Sequence, residues 1–252
     1  MNHNPFYREG TGKNAVLLIH GIAGSPGHFQ DLIPIIPQEF SVYNILLEGH
    51  SGSPKNLGKA SMKKWKLQVT TVLEDLYARH QQVIIIAHSM GTLFAIQAAI
   101  DHPDKIPALF LMNVPTRPRA SFRALIAMIQ ISFGKPRSIT ARTMQAITAI
   151  SLSARFWEYF GWAPRMLELL SECRRVRKLL PYLSTPTATF HSRSDELVSA
   201  QSCRDLESHR YITLRVLDHS GHFRYGRDDI LLLQKMLHQI LSWDLTKYKM
   251  EL

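Results

Sequence analysis

The sequence predicts an α/β fold in which a mostly parallel sheet is flanked by helices and interrupted by an inserted helical cap. Two observations predict it. Short β-branched apolar runs alternate with helical patterns in the first 114 residues and again after residue 186, whereas the stretch between them shows only helical periodicity. Apolar runs separated by helices indicate βαβ units, whose parallel strands are covered by helices on both faces.

Four apolar runs in the first half are expected to be buried strands. Each is five to seven residues long and rich in Val, Ile or Leu, and helical patterns at Ser61–Arg79 and Thr92–Ile100 lie between them. The runs are Asn14–His20, Val42–Leu47, Val83–Ala87 and Pro107–Asn113.

Residues 115–185 are expected to form a cap, inserted into a core made of residues 1–114 and 186–252. Apolar residues recur there every three or four positions, and Gly134–Pro136 and Gly161–Pro164 separate the patterns. The alternation then resumes with strands at Thr187–Phe190 and Tyr211–Leu217 and helices at Ser199–Leu206 and Ile230–Trp243.

The composition is that of a globular protein, but its charge is concentrated in the cap. Of 252 residues, 45% are hydrophobic and 20% charged, and the net charge is +10. Twelve basic and three acidic residues lie between Pro115 and Thr185, which is nine of the ten excess charges. Three interpretations remain open: a solvated face, a site for an anionic substrate, or a patch that meets anionic lipid. Nucleic acid is not expected, because no recognition motif accompanies the charge.

The sequence predicts a cytosolic protein. Residues Met1–Asn14 lack the apolar region of a secretory signal, and no run of about 18 apolar residues could span a membrane. The two cysteines, Cys173 and Cys203, lie far apart and are expected to be ordinary thiols. Nothing in the sequence indicates an oligomeric state.

Ser89 is the best candidate for a catalytic nucleophile. An apolar strand runs into Ala87-His-Ser89-Met90-Gly91 and a helix follows at once, which is the context of a nucleophile elbow. Ala87 stands where Gly is usual. The amide of Met90 would be one donor of an oxyanion hole. The alternative is that Ser89 is an ordinary helix N-cap.

Two other glycine-rich segments are weighed against this one. The loop from His20 to Pro26 contains Gly21 and Gly24 and follows a strand, so the amide of Ile22 or Ala23 would be the second oxyanion donor. It lacks the pattern of a nucleotide-phosphate loop. Ser51 also lies between glycines, but no buried helix is expected behind it, so it is a poor nucleophile candidate.

A serine nucleophile needs a histidine base and a carboxylate, which should follow it in the chain. Asp195, just after a predicted strand, is the favoured acid, with Glu196 in reserve. His222, after the last predicted strand, is the favoured base, with His219 as the alternative. His88 is expected to shape the turn or the pocket floor. No histidine shows zinc-ligand spacing, so neither a metal nor a cofactor is expected.

These motifs resemble the serine esterases and lipases of the α/β-hydrolase superfamily, most of all bacterial carboxylesterases and monoacylglycerol lipases with a small helical cap. The resemblance covers about residues 14–243 and departs from the family at Ala87 and Ser51. It rests on His20-Gly21, Leu47–Gly52, Ala87–Gly91, Ser194–Val198 and Ser220–His222. It implies an α/β-hydrolase fold, a triad of Ser89, Asp195 and His222, and an oxyanion hole formed by the amides of Ile22 and Met90. Gly21 and His88 are expected to contact substrate.

The function expected from this resemblance is hydrolysis of a small acyl ester. The main alternative is a lyase that cleaves a C–C bond in an anionic small molecule held by cap arginines. Amide cleavage and a non-catalytic ligand receptor are lesser alternatives. Dehalogenase and epoxide hydrolase chemistry require Asp at position 89, so Ser89 argues against both.

Overall fold

A sheet of seven strands forms the centre of the computed structural model, which describes residues 3–119 and 121–242. The strands in the described chain are β1 (Phe6–Arg8), β2 (Asn14–Ile19), β3 (Ser41–Ile45), β4 (Ser51–Gly52), β5 (Gln82–His88), β6 (Leu109–Met112), β7 (Ala149–Ile150), β8 (Thr187–Ser192) and β9 (Ile212–Leu217). The large sheet has the order β1-β3-β2-β5-β6-β8-β9, while β4 and β7 pair only with each other. All neighbours in the large sheet are parallel except β1 and β3.

Helices cover both faces of this sheet, as predicted. The α-helices of the described chain are α1 (Pro54–Lys59), α2 (Met62–Arg79), α3 (Met90–Asp101), α4 (Phe122–Ser132), α5 (Ile139–Ile147), α6 (Trp162–Leu179), α7 (Gln201–Glu207) and α8 (Arg227–Leu241), of which α4 and α5 pack mainly on each other. Trp243, the predicted end of the last helix, lies outside the described residues. None of the described helices is long and apolar enough to cross a membrane.

The central strands read as continuous apolar runs because both of their faces are buried. Leu17 and Ile85 belong to the apolar cluster beneath α2 and α3, whereas Leu18 and Ile84 belong to the cluster beneath α8. Successive side chains of a strand point to opposite faces, so a strand covered on both sides needs apolar residues at every position. This arrangement fixes the strand ends that carry the site.

The segment between β6 and β8 contains α4 to α6. Helices α4 and α5 pack on each other through Ala127, Ile131 and Ala141. The second half of α6 packs against the sheet domain instead, because Cys173 and Val176 belong to the same buried cluster as the residues of α3. The division into core and cap at residues 114 and 186 remains a prediction.

Three small features were not predicted. Strand β1 is only three residues long, and the β4–β7 pair has two residues in each strand. The expectation that no buried helix follows Ser51 was wrong, because α1 begins at Pro54 and buries Leu57. A six-residue helix with one buried leucine is too short to show a helical period. Ser51 itself is exposed.

Candidate active site

Ser89 lies in a tight turn between β5 and α3. Its backbone has φ 51° and ψ −121°, a conformation that side chains larger than glycine rarely adopt. The turn is held by a hydrogen bond of 2.9 Å from the Ser89 amide to the Met112 carbonyl. Gly91 is required by packing, since a Cβ there would lie 2.2 Å from the Ile19 carbonyl oxygen. Ser89 is the N-cap residue of α3, but its side chain makes no capping hydrogen bond and its φ is positive, so it does not act as an ordinary N-cap.

The loop after β2 lies directly against the nucleophile turn. A Cβ added to Gly21 would lie 2.8 Å from the Cβ of Ser89. The loop turns back through a 3.1 Å hydrogen bond from the Gly24 amide to the Gly21 carbonyl, which places Ile22 and Ala23 at the tip. Met90 is the first residue of α3, so its amide has no acceptor within the helix. Both predicted oxyanion donors therefore belong to segments that adjoin Ser89.

Asp195 and His222 are in direct contact. The Nδ1 atom of His222 lies 2.8 and 3.0 Å from the two carboxylate oxygens of Asp195, and both residues are buried. The amides of Leu197 and Val198 donate to Asp195 Oδ1 at 2.7 Å each. Burial alone would raise the pKa of Asp195, but the imidazole and the two amides outweigh it, so the pKa lies below its usual value. Asp195 is therefore held as a carboxylate.

The side chain of Glu196 contacts the backbone of the same histidine. Its Oε2 atom accepts a 2.6 Å hydrogen bond from the His222 amide, and its Oε1 atom lies 3.5 Å from the Thr140 hydroxyl of α5. Glu196 thus joins the base, the acid loop and the cap. His219, the alternative base, is exposed, and its amide donates to Asp229.

The sequence did not reveal two groups that support these loops. Arg119 donates a side-chain hydrogen bond to the carbonyl of Asp195. Asp229, at the start of α8, accepts hydrogen bonds from the His219 amide and the Ser220 hydroxyl. The two consecutive aspartates Asp228 and Asp229, close after the Ser-Gly turn, were the available signal for Asp229, whereas nothing in the sequence pairs Arg119 with the acid loop.

A stack of imidazoles lies behind the base. The rings of His28 and His88 are 3.8 Å apart and nearly parallel, and the rings of His88 and His222 are 4.8 Å apart. Burial is the main cause of a lowered pKa at both His28 and His88. The pKa of His28 falls to about 3, and that of His88 lies well below its usual value. Both are therefore neutral at physiological pH. The wall behind His222 carries no charge, although it is made of basic side chains.

An apolar cavity of about 410 Å³ opens over these residues. Its floor includes Gly21, Ile22, His88 and His222, so both predicted substrate contacts line it. Its walls are apolar residues of the cap, among them Leu125, Met128, Met144, Ile147, Trp162 and Met166. No Arg or Lys from the described residues lines it.

The structure brings Asp195 and His222 into contact at the carboxyl edge of the sheet, but no hydrogen bond joins the Ser89 side chain to His222 among the described residues. Asp195 contacts His222, His222 shares the cavity with Gly21, and Gly21 adjoins Ser89. Within residues 3–119 and 121–242, no group of three or more His, Cys, Asp or Glu side chains is placed to hold a metal ion. The chemistry available is that of a hydroxyl, an imidazole and a carboxylate.

Comparison with known families and sequences supports the same fold. Residues 14–138 match the α/β-hydrolase fold family. A monoglyceride lipase homologue of Monkeypox virus is 22% identical over 258 aligned positions, which cover 94% of this chain and 91% of the viral protein.

Two solved structures resemble the whole chain. One comes from the study of the metagenome-derived lipolytic enzymes LipS and LipT; its TM-score is 0.73 at 19% identity, and the match covers 94% of this chain and 97% of the other. The other is the monoacylglycerol lipase of Paleococcus ferrophilus, with a TM-score of 0.66 at 16% identity and coverage of 96% and 99%. At such identities the likeness establishes the fold.

Proposed function

Because this chain is an α/β-hydrolase-fold protein that resembles monoglyceride lipases and carboxylesterases, we propose that it hydrolyses carboxylic esters through a triad of Ser89, His222 and Asp195. The observation that carries the proposal is the contact of Asp195 with Nδ1 of His222, which lines an apolar cavity together with Gly21, a residue that packs against Ser89. With Nδ1 bonded to the carboxylate, Nε2 is the nitrogen left to accept a proton.

The proposed reaction proceeds in two halves. Nε2 of His222 takes the proton of the Ser89 hydroxyl while the Ser89 oxygen bonds to the ester carbonyl carbon. The amides of Ile22 and Met90 stabilise the negative charge that develops on the carbonyl oxygen. The C–O bond of the ester then breaks, and the departing alcohol takes the proton from Nε2. Nε2 next takes a proton from water while the water oxygen bonds to the acyl carbon. The bond between this carbon and the Ser89 oxygen then breaks, the carboxylic acid leaves, and Ser89 takes the proton from Nε2.

The lining of the cavity favours a neutral, apolar acyl group. Six cap side chains named above supply hydrocarbon and sulfur surface, and a volume near 410 Å³ is of the size that binds small ligands. The alternative of a lyase with an anionic substrate requires arginines in the site. The described lining contains none, so this alternative lacks the residues that motivated it.

The experiment compares Ser89→Ala with the intact protein on p-nitrophenyl esters of increasing acyl length. Loss of the nucleophile should lower kcat/KM by several orders of magnitude, with medium or long acyl chains preferred over acetate because they fill the apolar cavity. The matched control is Ser51→Ala, which alters the exposed serine of the other glycine-rich segment and should leave kcat/KM unchanged.

A fluorophosphonate probe gives a second readout. It should label the intact protein and Ser51→Ala, but not Ser89→Ala. Undiminished ester turnover by Ser89→Ala, or labelling of that variant, would refute the assignment. Labelling of Ser89 without turnover of any ester would leave an activated serine but overturn ester hydrolysis.

A further inference from the structure

The outer face of α4 is an apolar stripe that faces solvent. Phe122, Ile126, Ile129 and Phe133 follow one another at spacings of four, three and four, so they lie on one side of the helix. Their exposed fractions are 76%, 39%, 49% and 66%. The opposite side of α4 is apolar too, since Ala127 and Ile131 are buried. A helix that is apolar on two opposite sides is normally covered on both of them.

Three more aromatic residues extend this stripe. Phe156, Trp157 and Phe160 are 57–69% exposed and belong to the turn before α6. The hydroxyl of Tyr159, in the same turn, lies 3.0 Å from that of Ser132 at the end of α4, which joins the two elements. We call these seven residues the outer apolar surface: Phe122, Ile126, Ile129, Phe133, Phe156, Trp157 and Phe160.

The outer apolar surface lies on elements that also line the cavity. Helix α4 contributes Leu125 and Met128 to the cavity lining, and the turn before α6 contributes Tyr159. The same two elements therefore present apolar groups inward to the cavity and outward to solvent. Exposed apolar patches of this kind mark interaction surfaces.

The charge around this surface is positive and uncompensated. No acidic residue occurs between Arg117 and Trp157 in the sequence. The three acids of the cap are already in ion pairs, Glu158 with Arg155, Glu168 with Arg165 and Glu172 with Arg175. Exposed cations with no ion pair to a described residue are Arg123 in α4, Lys135 and Arg137 in the loop after it, and Arg142 in α5.

We infer that the outer apolar surface docks on an anionic lipid bilayer, with the flanking cations in the headgroup layer. Aromatic and aliphatic side chains on one face, flanked by Arg and Lys, are the pattern of an interfacial helix. Negative lipid headgroups complement the charge. A second copy of this chain would instead bring like charges face to face, since a two-fold interface uses the same patch twice. Docking does not depend on the proposed ester hydrolysis.

The experiment is co-sedimentation of the full chain with large phosphatidylcholine vesicles, either pure or containing phosphatidylglycerol. Binding should appear with the anionic vesicles, stay weak with the neutral ones, and decline as salt is added. Size-exclusion chromatography of each protein without lipid reports self-association.

Two variants test the two components of the surface. Phe122→Asn/Phe133→Asn removes apolar side chains that the cavity does not use, and Arg123→Gln/Lys135→Gln/Arg137→Gln removes three charges. Each should lower the partition coefficient by about tenfold or more. Matched controls are Leu67→Asn/Leu231→Asn, which are 65% and 58% exposed elsewhere, and Lys63→Gln/Arg204→Gln/Lys235→Gln, which are exposed cations of the core.

The outcomes separate the possible occupants. Loss of binding in both surface variants but in neither control, with unchanged thermal unfolding, supports a lipid surface. Wild-type protein that stays in the supernatant with anionic vesicles overturns the inference. So does equal binding to neutral vesicles, or an equal loss in the controls. A dimer that Phe122→Asn/Phe133→Asn converts to monomer shows that a second copy covers the surface instead.

Discussion

At the scale of residues, the base is held through both its ring and its backbone. Asp195 binds the ring of His222 at Nδ1, while Glu196 accepts the His222 amide at 2.6 Å. The two carboxylates are adjacent in sequence, and the structure gives them different roles. Glu196 does not touch the reacting atoms, so it is a positioning residue.

We expect Glu196→Ala to lower kcat by about tenfold with little change in KM, because the imidazole loses its backbone anchor while the apolar cavity is unaltered. Glu196→Gln retains an acceptor oxygen and should restore most of kcat. Steady-state kinetics on one activated ester measures both. A rise in KM at constant kcat would show that Glu196 acts on substrate binding rather than on the base. Equal losses in the two variants would show that charge matters and not the hydrogen bond.

At the scale of elements, local pattern predicted the sheet but not the contacts between distant segments. The runs of β2, β5 and β6 are buried on both faces, so their composition alone identified them. Ser89 was found because strand, turn and helix are contiguous. By contrast, the hydrogen bond from the His222 amide to the Glu196 carboxylate joins residues 26 positions apart, and the sequence has no signal for it. Short elements such as α1 and β1 carry too few residues to show a period.

A buried carboxylate of helix α6 takes part in joining it to two helices of the core. Glu172 has a side chain that is 6% exposed, and it pairs with Lys66 of α2 at 2.6 Å and with Arg175 at 2.7 Å. Arg175 in turn donates to Gln97 of α3. Burial alone would raise the pKa of Glu172, but hydrogen bonds and charge from Arg175 and Lys66 outweigh it and lower the pKa. This network connects the helix that leaves the cap to two helices of the core.

We expect Glu172→Gln to lower the free energy of unfolding by about 1–2 kcal/mol at neutral pH. This loss is smaller than for a fully buried ion pair because both cations are partly exposed. A carboxyl whose pKa is lowered by folding stabilises the protein above its unfolded pKa, and the contribution is lost as pH falls through the folded pKa. The difference between wild type and variant, measured by urea unfolding, should therefore shrink below about pH 4.5. Asp75→Asn, in a pair whose side chains are 60% and 42% exposed, is the control and should cost little. A difference that stays constant at acid pH would show that packing, not charge, is responsible.

At the scale of the whole molecule, the site edge of the sheet is built on buried neutral histidines. His20 donates from Nδ1 to the Gly21 carbonyl and accepts the Leu47 amide at Nε2, so it must be neutral to make both bonds. Burial lowers its pKa to about 4. The rings of His20 and His50 are 4.9 Å apart, and burial also lowers the pKa of His50 well below its usual value. With His28 and His88, four imidazoles take up no proton in the folded state at mildly acid pH.

The unfolded chain does take up those protons, which sets the pH dependence of stability. Below about pH 6.5 the unfolded state binds more protons than the folded state. The free energy of unfolding should therefore fall as pH is lowered from about 6.5 to about 4. The expected decrease is about 1.4 kcal/mol per pH unit for each histidine that stays neutral in the folded protein. Urea unfolding across this range measures the slope. His50→Gln removes one such group, and this group lies away from the proposed reacting atoms. The free energy of unfolding of this variant should therefore fall less steeply with pH than that of the wild type, by the contribution of one histidine, whatever the stability of the variant at neutral pH. A wild-type free energy of unfolding that stays constant between pH 6.5 and 4 would show that these imidazoles are protonated in the folded protein. It would contradict the conclusion that His28 and His88, behind His222, are neutral.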